Sequence, residues 1–170
     1  MNSDEHDYRI WENENFVIES SITVSLWDEI HINEFHEKLN KILNEMYERI
    51  GLISNNSKTL ISICFAGDKK VMELNNNFRN KKLATNVLSF PSNYKFDNTL
   101  FLGDIIFSIE TIIKEAKRDN KTLQNHLIHL FIHAVLHLLG YDHETEKEAK
   151  KMENLDIQIL SNLQIDNPYN

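Results

Sequence analysis

Residues 133–143 read HAVLHLLGYDH, and residues 122–132 before them read TLQNHLIHLFI. His133 and His137 are four apart, so on a helix they lie about 40° apart around the axis, one turn from each other. Both imidazoles then reach one point. Gly140 is suited to end that helix in a left-handed conformation and turn the chain back. His143 thereby gains a short path to the same point. Three neutral imidazoles with an open fourth position describe a catalytic metal site, because structural zinc sites are normally closed by four protein ligands. His126, His129, His133 and His137 share a stripe about 80° wide. Leu127, Leu130, Phe131, Val135 and Leu138 cover the neighbouring faces. A helix that is apolar nearly all round belongs inside a core, and imidazoles buried there must be hydrogen-bonded or bound to metal.

The rest of the chain supplies that core. Partial alternation from Phe16 to Ser25 predicts a strand, as do the β-branched run Leu60 to Phe65 and the apolar run Leu100 to Ser108, which reads as interior. Val87 to Phe90 predicts a short strand ended by Pro91, with a turn over Asn93 to Asn98. Helices are predicted over Ile30 to Ile50 (stopped by Gly51), Lys69 to Phe78 (capped by Asp68), Ile109 to Arg118, Thr122 to Leu139 and Glu144 to Leu163. Strands come early and long helices late. The expected fold is α+β: one small mixed β-sheet with helices packed on it, and a metal site at the end of the buried histidine-bearing helix. The organisation expected is an acidic flexible tail over 1–15, a single domain over 16–163 and a C-terminal tail over 164–170.

The chain has 170 residues, a single cysteine (Cys64) and a net charge of −8. One domain of this size buries a substantial core without disulfides. The acidic start lacks the basic and apolar regions of a signal peptide, and no run is long enough to span a bilayer. A cytoplasmic protein with no membrane partner is expected. The acidity opposes a general nucleic-acid binder, so no DNA partner is expected. The charge is uneven, however: residues 69–82 carry Lys69, Lys70, Arg79, Lys81 and Lys82 against Glu73. A local basic patch on an acidic chain suits a specific anionic ligand.

His129, one turn before His133, is a supporting partner of the metal site or, as the favoured reading, structural. His126 is read as structural or surface. The spacing is shared with the pattern H-E-x-x-H-x-x-G-x-x-H of metallopeptidases, but Ala134 stands where that pattern has its general base. A metallopeptidase-like hydrolase therefore remains an alternative without its most important side chain. Ser89 and Cys64 are read as structural. Asp142 and Asp104 are possible orienters of a ligand histidine, with Asp104 more simply a capping residue. Phe78 and Phe90 are expected in the core, while Tyr94 and Phe96, in a predicted loop, are candidates to stack on unpaired bases.

Three motifs in order resemble the YbeY family of rRNA maturation factors. His133 to His143 is similar to the family's H-G-x-L-H-L-x-G-Y-D-H. Leu74-Asn-Asn-Asn-Phe-Arg79 with Thr85-Asn-Val-Leu-Ser-Phe-Pro91 is similar to L-N-x-x-[YF]-R and T-[DN]-V-L-S-F-P. Leu102-Gly-Asp-Ile-Ile-Phe-Ser108 is similar to L-G-D-I-x-I-S. Ala134 replaces the family's usual glycine, Leu83-Ala84 replaces a charged residue and proline, and the acidic N-terminus has no counterpart. The resemblance implies a zinc-dependent endoribonuclease acting on single-stranded RNA, in 16S rRNA 3′-end processing, ribosome maturation and quality control. It implies His133, His137 and His143 as ligands of one zinc ion and Arg79 as an arginine near the active site. A dication on three neutral histidines keeps its charge and lowers the pKa of a bound water toward about 7, and Arg79 offers a planar fork to a phosphate. The small ribosomal subunit, a ribosomal protein or a GTPase is expected as guide. A non-enzymatic ribosome-assembly factor with a stabilising metal is the other alternative.

Overall fold

A computed structural model of the chain describes residues 7–51 and 57–170, with the side chains of Glu29, Ile30 and Arg79 outside the described residues. In order, the elements are β1 (Asp7–Glu12), β2 (Phe16–Ile22), α1 (Glu29–Ile50), β3 (Lys58–Ala66), α2 (Asp68–Arg79), β4 (Val87–Phe96), β5 (Thr99–Ser108), α3 (Ile109–Arg118), α4 (Leu123–Leu138) and α5 (Glu146–Asn162). The strands form one sheet in the order β1-β2-β3-β5-β4. β2, β3 and β5 run parallel, and β1 and β4 pair antiparallel at the two edges. The expected mixed α+β fold is what forms.

Alternation decides which face is covered. Along β3, Thr59, Ile61, Ile63 and Phe65 are buried, and the last three join the main core with α1, α4 and α5. Phe35 of α1 meets Phe65 and Phe131 edge-on at 6.0 and 5.3 Å, the geometry that aromatic quadrupoles favour. Leu60, Ser62 and Cys64 face the other side. There α2 covers one end of the sheet, with Val71 and Leu74 packed about Ala66, Leu88, Ile106 and Cys64.

Several expectations need correcting. Residues 7–12 of the acidic tail are not loose: they form β1, with Trp11 packed against the core. An edge strand exposes most of its side chains, so its polar composition does not distinguish it from a tail. Residues 1–6 lie outside the described residues. β4 does not stop at Pro91 but runs to Phe96, and a two-residue turn at Asp97 and Asn98 leads into β5. Proline is tolerated because β4 is an edge, and the ladder shifts register between Pro91 and Tyr94. Phe78 is not a core residue: it is 67% exposed and leans on the half-buried Phe90. Asp68 is not the cap of α2, a place taken by Gly67. Its carboxylate instead accepts the Ser108 and Thr111 hydroxyls, tying α2 to the start of α3.

The C-terminal segment is also tied down. Gln164 turns the chain with φ +62°, the Ile165 N–H donates to the Leu160 carbonyl, and Lys121 Nζ donates to the Pro168 carbonyl at 3.0 Å. Residues 164–170 thus fold back toward the start of α4. Among the described residues, no helix is long and apolar enough to cross a membrane.

Candidate active site

Helix α4 starts at the Thr122 cap, whose side chain accepts the Asn125 N–H. It ends where the Gly140 N–H donates to the His137 carbonyl and the Tyr141 N–H to the Leu136 carbonyl. Gly140 has φ +87°, the left-handed turn that brings His143 back over the last helical turn. The ring centres of His133 and His137 lie 4.8 Å apart, and His143 stands 5.9 and 5.0 Å from them. Nitrogens of all three lie within 4.8 Å of one another. The three expected ligands therefore converge.

The outer nitrogens of His133 and His137 are committed. His133 Nδ1 donates to Asp156 Oδ2 at 2.9 Å, and His137 Nδ1 donates to the Tyr141 carbonyl at 3.0 Å. A carbonyl can only accept, so the Nδ1 of His137 carries the proton and its Nε2 lone pair faces the centre. Burial, and then the neighbouring His133 and His143, hold the pKa of His137 below the usual imidazole value. A neutral imidazole is the form that binds metal. The donor set, tautomer and open side together fit a divalent cation on three histidines.

A second group, His129, His133 and Asp156, is also close enough to hold an ion. His133 is common to both groups, and its Nδ1 is already bonded to Asp156. The second group is better read as the support of the first. Asp156 is fully buried on α5 and its Oδ2 accepts both His133 Nδ1 and, at 2.6 Å, the Tyr169 hydroxyl. Burial first, and then the Asp156 carboxylate, hold the Tyr169 phenol protonated and a donor. His129 is kept neutral, its pKa lowered to about 4, by burial above all. It lies edge-on to Tyr169, with ring centres 5.6 Å apart. His126 is structural, as expected: its Nε2 donates to Glu115 Oε2 at 2.7 Å, and Glu115 also accepts Asn86 Nδ2.

The histidine centre opens into a cleft of about 890 Å³, walled by the start of β4, the last turns of α4 and the turn after Gly140. Lys81, Asn86, Ser89, Ala134 and Tyr169 line it. Ser89 makes no hydrogen bond to a histidine among the described residues, consistent with a wall position. Asp142 accepts the backbone N–H of His143 and so shapes the turn instead of orienting an imidazole. Asp104 sits within β5, opposite Phe90 and Ser62, and does not line the cleft. Tyr94 and Phe96 are exposed and stacked on each other at 6.2 Å. Through Phe101 their row continues to Leu60, on the sheet face turned away from α4. They do not continue the cleft. Arg79 ends α2.

Sequence reasoning missed Asp156 and Tyr169, and had Lys81 only as part of the basic patch over residues 69–82. Asp156 carried a signal: it stands among Met152, Ile159 and Leu160, the apolar stripe of α5. A carboxylate on a buried stripe needs a partner. Tyr169 carried none, because its reach depends on how the C-terminal segment folds back.

An α+β core whose buried helix ends in three convergent histidines beside an open cleft is the arrangement of a protein that could hold a metal ion at the cleft. A family model described as Endoribonuclease YbeY matches residues 21–164, and the chain belongs to this family of hydrolytic nucleases. Among curated relatives, the endoribonuclease YbeY of Bartonella quintana is 48% identical over 112 residues, covering 64% of this chain and 71% of the relative. Those of Bartonella bacilliformis and Francisella philomiragia are 40% and 38% identical, covering 76% and 75% of this chain and 82% and 84% of their own length. A solution structure from Thermotoga maritima shares the fold with a TM-score of 0.50 and 23% identity, covering 81% of this chain and 87% of that one.

Proposed function

We propose that the protein is a zinc-dependent endoribonuclease of the cytoplasm that cuts single-stranded RNA, its substrate being the 3′ precursor of 16S rRNA during ribosome maturation and quality control. The observation that carries this reading is the shared orientation of the histidines: with Nδ1 of His133 and His137 committed, both rings present Nε2 to the same point, where His143 joins them. A zinc ion held there supplies a Lewis acid for a phosphoryl oxygen and acidifies a water. The chain's own groups do the rest. Lys81 on the cleft wall is placed to hold a backbone phosphate, and Arg79, at the end of α2, is proposed to grip it through two oxygens. The methyl of Ala134 narrows the floor and offers no base, which favours a phosphodiester over a peptide substrate. The acidity of the chain suits guidance by the small ribosomal subunit, a ribosomal protein or a GTPase.

The test is cleavage of an end-labelled single-stranded RNA spanning the 16S 3′ precursor junction. Wild type is run beside His137→Ala prepared identically, each with and without chelator. Cleavage by wild type alone, lost on chelation and restored by zinc, is expected. Linear phosphate ends would indicate attack by water, and cyclic phosphate ends attack by the RNA's own 2′-hydroxyl. Equal activity in both proteins would refute the assignment.

A further inference from the structure

The segment beyond residue 164 lies outside the stretch matched by the family model, yet it reaches the active site. After the turn at Gln164 the chain runs back along α5, and its carbonyl at Pro168 is caught by Lys121 at the start of α4. The Asn167 side chain accepts the Tyr169 N–H at 2.9 Å, a local turn that aims the ring inward. Tyr169 then touches three things. Its hydroxyl donates to Asp156 Oδ2 at 2.6 Å, its ring stands edge-on to His129, and its exposed side lines the cleft.

The oxygen it holds is the one that matters. Asp156 is fully buried, and its Oδ1 has no hydrogen-bond partner among the described residues. All its described hydrogen bonding is therefore concentrated on Oδ2, which also accepts His133 Nδ1. A buried carboxylate held by one donor can turn about its Cβ–Cγ bond and offer either oxygen. A second donor from the opposite side removes that freedom. The direction of the His133 ring, and so of its Nε2, is then set by a chain that begins at Tyr169.

We propose that Tyr169 is a positioning residue of the active site: by pinning Asp156 Oδ2 it orients His133 toward the metal, so that the segment after α5 completes the centre. This inference rests on the metal reading above. It concerns binding of the ion and not only turnover, because the Tyr169 hydroxyl acts on a proposed ligand through Asp156.

The test compares wild type, Tyr169→Phe, Asp156→Asn and the double variant as apo proteins. Zinc affinity is read by competition with a chromophoric chelator, and ligand geometry by the visible absorption of the cobalt-substituted forms. Removing an outer-shell partner typically costs about 10- to 100-fold in affinity, which is the loss expected for Asp156→Asn. One step further out, Tyr169→Phe keeps the ring and is expected to cost about three- to tenfold, with an altered cobalt band and a lower apo melting temperature from the lost hydrogen bond to a buried carboxylate. In the Asp156→Asn background the same change should cost less, because Tyr169 acts through the Asp156 carboxylate and the amide oxygen is a weaker acceptor. If Tyr169→Phe binds zinc as wild type does, or loses the same factor in both backgrounds, the role assigned to it is wrong. Should Asp156→Asn not fold, the cobalt band of Tyr169→Phe decides alone: an unchanged band overturns the proposal. Wild type that takes up no metal would instead overturn the metal reading itself, which keeps the two failures apart.

Discussion

Replacing Gly103 by alanine probes how closely the β4 backbone approaches β5 beneath the histidine helix. Gly103 lies in β5 with φ +149°, opposite Pro91 of β4. A Cβ there would stand 2.3 Å from the Phe90 carbonyl oxygen and 2.9 Å from Leu138 Cδ2. The leucine methyl can turn away, but the carbonyl is backbone within a paired strand. It must retreat by about 1 Å to reach ordinary contact, which overpacks the hairpin by about 1–3 kcal/mol. The backbone conformation adds about 1–3 kcal/mol of strain once a side chain is present. The expected loss is therefore about 2–6 kcal/mol, a large part of the ~5–15 kcal/mol typical of a domain. With a urea slope of about 2 kcal/mol/M, the unfolding midpoint should fall by about 1–3 M. Gly140 is the internal control, since it also has positive φ but a Cβ there meets nothing within 4 Å. Gly140→Ala should cost strain alone, about 1–2 kcal/mol or roughly 0.5–1 M. Urea titrations followed by circular dichroism give both midpoints. If Gly140→Ala proves as costly as Gly103→Ala, or Gly103→Ala unfolds within about 0.3 M of wild type, close backbone approach of β4 is not what requires glycine at position 103.

Other elements yield shorter predictions. Burial alone would push the Asp68 pKa up, but the Ser108 and Thr111 hydroxyls and then Lys114 overcome it, and the folded value lies below the usual carboxylate value. The unfolded chain then binds more protons than the folded one in acid, so this contribution is complete above the unfolded pKa of about 4 and is lost as pH falls through the folded value. Asp68→Asn should be less stable than wild type at pH 7, and urea midpoints should converge as pH falls through the lowered folded value; a gap unchanged with pH would exclude the ionic origin. Glu115 holds both buried His126 and the cleft residue Asn86. Glu115→Ala leaves their donors unpaired and should cost about 1–3 kcal/mol in chemical denaturation, with a raised KM from the loosened wall; an unchanged midpoint would show that water replaces the carboxylate at no cost.

What could be read from the sequence followed from period and spacing. The helical period of residues 122–139 revealed both the burial of α4 and the convergence of His133 and His137, because both are properties of one helix. Gly140 located the turn to His143 for the same local reason. The failures share a different cause. Residues 7–12 look like a solvated tail because edge strands and tails share a composition, and only the pairing with β2 separates them. Pro91 looked like a strand end because its tolerance depends on β4 being an edge, which is a property of sheet order. Tyr94 and Phe96 were assigned to a loop for that reason, and the cross-strand row to Leu60 that turns them from the cleft is equally non-local.

The same division runs through the site. Its three proposed ligands come from eleven consecutive residues, so local geometry is enough to bring them together. Local geometry does not choose which nitrogen each ring presents. For His137 the choice is made by the Tyr141 carbonyl, supplied by the turn itself. For His133 it is made by Asp156, thirteen residues beyond the last ligand on a different helix. A helix that carried the motif without α5 packed against it would hold the imidazoles near one another but leave the His133 ring free to turn. Affinity for the metal should therefore track the packing of α5 on α4, and apolar substitutions at the buried Met152 or Ile159 should weaken zinc binding before they touch any ligand. Met152→Ala, expected to cost about 2–5 kcal/mol of stability, offers that comparison. Measured where the variant is still fully folded, a zinc affinity equal to wild type would mean that α5 merely covers the histidine helix and does not orient it.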